Sequence, residues 1–176
     1  MSETKAQAPP PEPVVLDLEW LGEHRLRGRS GGVEMVMDSP PVAGPSPVQA
    51  LAFGLAGCMA IDVLVVMKRG RFDLEGLKAR LVAERAATDP KRIVKVRLLF
   101  TVAGEVPADR VERAIELSRD KYCSVWHSMR PDIEFTTTFE VVPSEGVLKG
   151  SDLELRRSRR PCAISRPAPR RTTSPS

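Results

Sequence analysis

Between Ala50 and Met67 the chain carries an apolar side chain on nearly every face of a helix, and this one segment constrains everything around it. Its ends are marked. Ser46 before Pro47 is a strong start, a serine N-cap followed by a proline pre-set for the first helical position. Lys68 and Arg69 before Gly70 make a matching stop, with basic residues at the negative end of the helix dipole. A membrane span needs about 20 apolar residues, so the length alone would allow one. However, the run holds Gln49, Gly54, Gly57, Cys58 and Asp62, no other segment offers a second span, and charge inside a span is rare and costly. The better reading is a central buried helix wrapped by a sheet, with a second subunit as a further possible cover.

The flanking segments supply that sheet. Val14, Leu16, Leu18 and Trp20 alternate with polar neighbours, a second short strand is expected within His24–Arg29, and Val33, Met35 and Met37 share one face after Gly31-Gly32, which together predict an antiparallel meander. After the helix, Leu77, Ala79, Leu81 and Ala83 form one alternating face and Val94, Val96, Leu98, Phe100 and Val102 another, with Thr88-Asp89-Pro90 as the turn between them. Pro107 opens a second helix with Val111, Ala114, Ile115 and Ser118 inward. A break near Asp120 leads to a short helix bearing Cys123, Trp126 and Met129, stopped by Pro131. Ile133, Phe135, Thr137, Phe139 and Val141 then predict a last strand. The fold class expected is α+β, antiparallel sheets around a central helix.

The two ends read differently. Residues 1–13 are polar and proline-rich, which predicts a disordered arm and offers no secretory signal. From Pro143 to Ser176 eight bases face three acids, so the net charge of +4 comes from this tail and residues 1–142 carry −1. The folded part, residues 14–142, thus has no electrostatic support for binding nucleic acid. The Arg/Pro/Ser-rich tail has too little apolar surface to order itself. Its seven arginines after Leu155 could meet phosphate by charge alone, or simply be solvated. Three cysteines spaced 65 and 39 residues apart match neither a zinc pattern nor a disulfide framework. Cys162 falls in the tail as a free thiol. A cytosolic address is expected, where a cysteine pair more often means redox chemistry than a structural bridge.

Two stretches carry chemistry. Residues 44–62, GPSPVQALAFGLAGCMAID, resemble the first-cysteine motif of the OsmC/Ohr superfamily, and residues 111–130, VERAIELSRDKYCSVWHSMR, resemble its second. The likeness runs from about Val14 to Val142. It implies an intertwined homodimer in which both subunits build each site, with Cys58 as the peroxidatic and Cys123 as the resolving thiol. It also implies an arginine from the early strands; Arg25, Arg27 and Arg29 all lie in that stretch, and Arg27 before Gly28 is the best single choice. In the family a glutamate holds this arginine. Its place falls at Val48 here or, in a related subgroup, one residue later at Gln49, which can bond a guanidinium but not neutralise it. No metal or organic cofactor is implied, only a peroxide substrate and an external dithiol reductant.

The chemistry itself asks for these groups. Peroxide reduction needs a thiolate, and the sulfenic acid it leaves must be captured by a second thiol before over-oxidation. Burial raises a thiol pKa, so a nearby cation must favour the anion. Asp62, four residues from Cys58 and on the same helix face, would position a base or substrate, or else be a buried polar group bonded to backbone or a basic partner. His127 lies four residues from Cys123 and could act as a base, or sit at the surface; with His24 it makes no zinc spacing. Gly54 and Gly57 are expected to admit a closely packed neighbour. Two functions follow: a thiol-dependent peroxidase acting on organic or hydrogen peroxide, or a stress or binding protein whose cysteine pair is vestigial or redox-sensing.

Overall fold

A computed structural model of the chain describes residues 9–72 and 74–143. The first three strands, β1 (Asp17–Gly22), β2 (Arg25–Ser30) and β3 (Val33–Met37), form the expected antiparallel meander. β1 begins at Asp17; Val14–Leu16, expected to start it, are exposed and outside the strand. A loop leads to α1 (Pro47–Arg69). It is pinned by Asp38, a buried carboxylate that accepts from the Ala43 N–H at 3.0 Å and pairs with Arg25 at 3.3 Å. Those contacts, the Ala43 N–H foremost, hold the Asp38 carboxyl below the usual range. Gly44 in this loop is obligatory: a Cβ there would lie 2.0 Å from the Val36 carbonyl oxygen.

The boundaries of α1 follow its caps. Ser46 Oγ accepts from the Gln49 N–H, and the Gln49 side chain accepts in return from the Ser46 N–H at 2.8 Å, a reciprocal capping box. Leu55, Met59, Val63 and Met67, spaced four apart, are fully buried. The opposite faces are not: Phe53 is 69% and Ile61 62% exposed. Among the described residues this is the one helix long and apolar enough to cross a membrane. Its buried stripe, however, packs into the protein's own core. Within one chain α1 is therefore central but covered on one side only. Gly54 and Gly57 meet no neighbour there.

β4 (Gly76–Arg85) and β5 (Ile93–Ala103) form a long antiparallel pair. Val96, Leu98, Phe100 and Val102 of β5 are buried against the α1 stripe. Each such side chain contributes on the order of 1.5–3 kcal/mol through burial. α2 (Ala108–Leu117) adds Val111, Ala114 and Ile115 to the same core. A π-helical turn (Ser118–Tyr122) and α3 (Ser124–His127) follow, and β6 (Glu134–Val142) closes the second sheet. One pairing departs from the antiparallel expectation: β6 runs parallel to β5. Two helices and a turn lie between them, which gives the crossover a parallel neighbour requires. The meander makes only sparse contact with this second layer. Residues 1–8 and 144–176, and with them most of the expected arm and tail, including Cys162, lie outside the described residues.

Candidate active site

Cys58 stands mid-way along α1 and Asp62 one turn later on the same face. The segment facing them is built by an irregularity. Where α2 ends, the chain widens into the π-helical turn, closed by the Cys123 N–H donating to the Ser118 carbonyl at 2.8 Å. A π turn spans i to i+5, so Ser118 and Cys123 end on one side. Two rungs result. The Ser118 hydroxyl donates to Asp62 Oδ2 at 2.8 Å, and the Cys123 thiol meets that of Cys58. The two Sγ atoms and a carboxylate oxygen of Asp62 all lie within 4.8 Å of one another. Both cysteines are free thiols.

Their surroundings differ. Cys58 is half-buried, whereas Cys123 is fully buried. Cys123 is the N-cap of α3 rather than a residue within it, and its sulfur accepts from the Trp126 N–H at 3.4 Å. Burial pushes its thiol up to about 11; the Trp126 N–H pulls the other way, and Cys58 and Asp62 add to the rise. The Trp126 ring packs on Phe135 with centroids 4.3 Å apart.

The remaining expected residues sit elsewhere within the chain. Arg27 lies between Glu19 (3.3 Å) and Glu34 (3.2 Å), Arg29 bonds Glu34 at 3.0 Å, and Arg25 holds Asp38. Among the described residues no arginine donates to either thiol or to Asp62. The Gln49 side-chain oxygen, expected to face a guanidinium, is engaged by the Ser46 N–H in the helix cap. Val48 packs against the core. His127 and His24 are exposed. Asp62 was expected to bond backbone or a base; its partner is instead a hydroxyl. Ser118 was legible only as an inward-facing helix residue, because nothing in the periodicity signals a π turn.

Comparison with known proteins gives this geometry a context. A family described as OsmC-like protein matches residues 38–138. The YhfA protein of Escherichia coli K12 is 33% identical over 128 residues, covering 71% of this chain and 96% of YhfA. Among solved structures, a hypothetical protein from Aquifex aeolicus VF5 superposes with a TM-score of 0.70 at 24% identity, covering 75% of this chain and 98% of that one. An organic hydroperoxide resistance protein OsmC from Legionella pneumophila superposes at 0.58 with 16% identity, covering 74% and 98%. The last two share the fold.

Proposed function

Because the chain belongs to the family of OsmC-like proteins, we propose that it is a thiol-dependent peroxidase in which Cys58 attacks a hydroperoxide and Cys123 resolves the product. One observation carries the reading: two thiols 65 residues apart in sequence meet with their sulfurs within 4.8 Å. The Legionella protein of the same fold is named for organic hydroperoxide resistance, which points to the substrate class.

Burial supports these roles. Cys123 is sealed from solvent and stays a neutral thiol at neutral pH, so the half-buried Cys58 is the thiol that peroxide reaches. Its thiolate takes the distal peroxide oxygen; the O–O bond breaks, the alcohol leaves with one proton, and Cys58 becomes a sulfenic acid. Cys123 then displaces hydroxide from that sulfur. Its own proton departs with the hydroxide as water; because the thiolate is the nucleophile, that proton must leave Cys123 as the S–S bond forms. The sulfurs must close to about 2.05 Å. An external dithiol, supplied in a reducing cytosol, returns both cysteines to thiols.

The cation that holds Cys58 ionised would come from a second copy, with Arg27 of the partner subunit as its source. The exposed apolar faces of α1 and of the meander, Phe53, Ile61, Trp20 and Val33 among them, support such a homodimer. A second reading, a redox-sensing or binding protein without turnover, is favoured by Asp62, whose carboxylate lies beside the two sulfurs and adds to the rise in the Cys123 pKa.

Stopped-flow oxidation of the reduced full-length protein, in chelator, by cumene hydroperoxide and hydrogen peroxide separates the two. The peroxidase reading expects wild type to outpace free cysteine and Cys58→Ser to lose the reaction. Cys123→Ser should keep one turnover and accumulate a sulfenic acid that dimedone traps. Wild-type consumption no faster than free cysteine would refute it.

A further inference from the structure

We propose that Cys58, Cys123 and Asp62 together form a binding site for a thiophilic divalent cation of the zinc class, occupied when the pair is reduced. This goes beyond the peroxidase reading and does not depend on it. The donor set is the first argument. Two sulfurs and one carboxylate oxygen converge within 4.8 Å of one another. Tetrahedral zinc takes sulfur at about 2.3 Å and carboxylate oxygen at about 2.0–2.2 Å, so its donors stand roughly 3.5–3.8 Å apart. A contraction of about an ångström along the widest edge would suffice. Sulfur ligands exclude magnesium and calcium, which want oxygen alone, and select borderline or soft ions.

The surrounding contacts are those a ligand set needs. The Ser118 hydroxyl fixes Asp62 through Oδ2 at 2.8 Å, the outer-shell bond that orients a ligating carboxylate. Ser118 is itself fully buried, so this orientation is held by the core. The Trp126 N–H at 3.4 Å directs the Cys123 sulfur in the same way. Cys58 and Asp62 are half-buried while Cys123 is sealed, which gives an ion one side of entry. Three protein ligands leave a fourth position for water. Among the described residues no arginine donates a positive charge to the cluster. A divalent ion would supply that charge from a single chain.

Occupancy and oxidation exclude each other, because the disulfide uses both sulfur ligands. Two metal-bound thiolates, one hydroperoxide and two protons give the disulfide, an alcohol, water and the free ion. The two electrons come from the thiolates and reduce the peroxide.

Cobalt(II) reports thiolate ligation directly by its sulfur-to-metal charge-transfer band. The probe is the reduced, metal-free, full-length protein bearing Cys162→Ser, which removes the tail thiol. Titration should saturate at one cobalt per chain, zinc should abolish the band, and cumene hydroperoxide should bleach it and release the ion. Cys58→Ser and Cys123→Ser should each lose it. Asp62→Asn keeps an acceptor for Ser118 but offers the ion a neutral donor, and should weaken binding by at least the roughly 10–100-fold that loss of an outer-shell partner costs. Asp62→Cys, a second variant in case the first misfolds, should bind with a stronger band. No band in the parent protein, a band unchanged in both cysteine variants, or affinity unchanged in Asp62→Asn would each overturn the site. The peroxide assay is run in chelator, so failure there leaves the cobalt result standing.

Discussion

Cys123 is enclosed on every side, and its ionisation is set by what encloses it. Burial raises its pKa from an ordinary 9.0 to about 11, against the pull of the Trp126 N–H. The folded pKa lies above the unfolded one. The stability this thiol contributes is therefore intact below about pH 9 and is lost as the pH climbs towards 11, because the unfolded chain releases the proton first. Urea unfolding of the reduced protein at pH 8 and pH 10.5 tests this. Wild type should lose more stability across the interval than Cys123→Ala; equal losses would show that the fold does not hold the thiol neutral. Both cysteines were legible from the sequence as chemistry-bearing residues. Asp62 was legible as a neighbour of Cys58, but its anchoring by the Ser118 hydroxyl was not, since that bond joins residues 56 apart.

Among the elements, α1 is the most plainly written. Ser46, Pro47 and Gly70 set its limits, and the reciprocal bonds between Ser46 and Gln49 close its first turn. Ser46→Ala should cost about 1 kcal/mol by urea denaturation, within the usual 0.5–2 kcal/mol range for a lost cap; no change would mean that packing alone holds that end. Gln49→Ala should act in the same direction, because the side chain read as a partner for arginine is here a partner for backbone. The strands were legible from alternation, which fixes faces but carries no direction. A parallel β6 looks the same as an antiparallel one along a single sequence. The π turn was invisible for a related reason: one extra residue per turn alters no composition and leaves the apolar spacing of Val111, Ala114 and Ile115 intact.

At the scale of the molecule, one chain leaves much undone. Its core is continuous from the α1 stripe through β5 to α2, yet Phe53, Ile61, Leu18 and Trp20 face outward. Gly54 and Gly57 present open backbone on α1. A second copy laid on these surfaces would cover α1 and bring a foreign meander to the thiols. Phe53→Glu combined with Ile61→Glu should convert a dimer to a monomer by sedimentation and lower peroxide consumption with it. A wild-type protein that sediments as a monomer at micromolar concentration would reject this assembly.

The sparse contact between the meander and the rest of its own chain has a consequence for regulation. If the arginine that readies Cys58 rides on another polypeptide, abundance becomes a control variable. In the dilute regime the competent species grows with the square of the protein present, so a modest rise in synthesis would be amplified at the level of turnover, with no separate signal required.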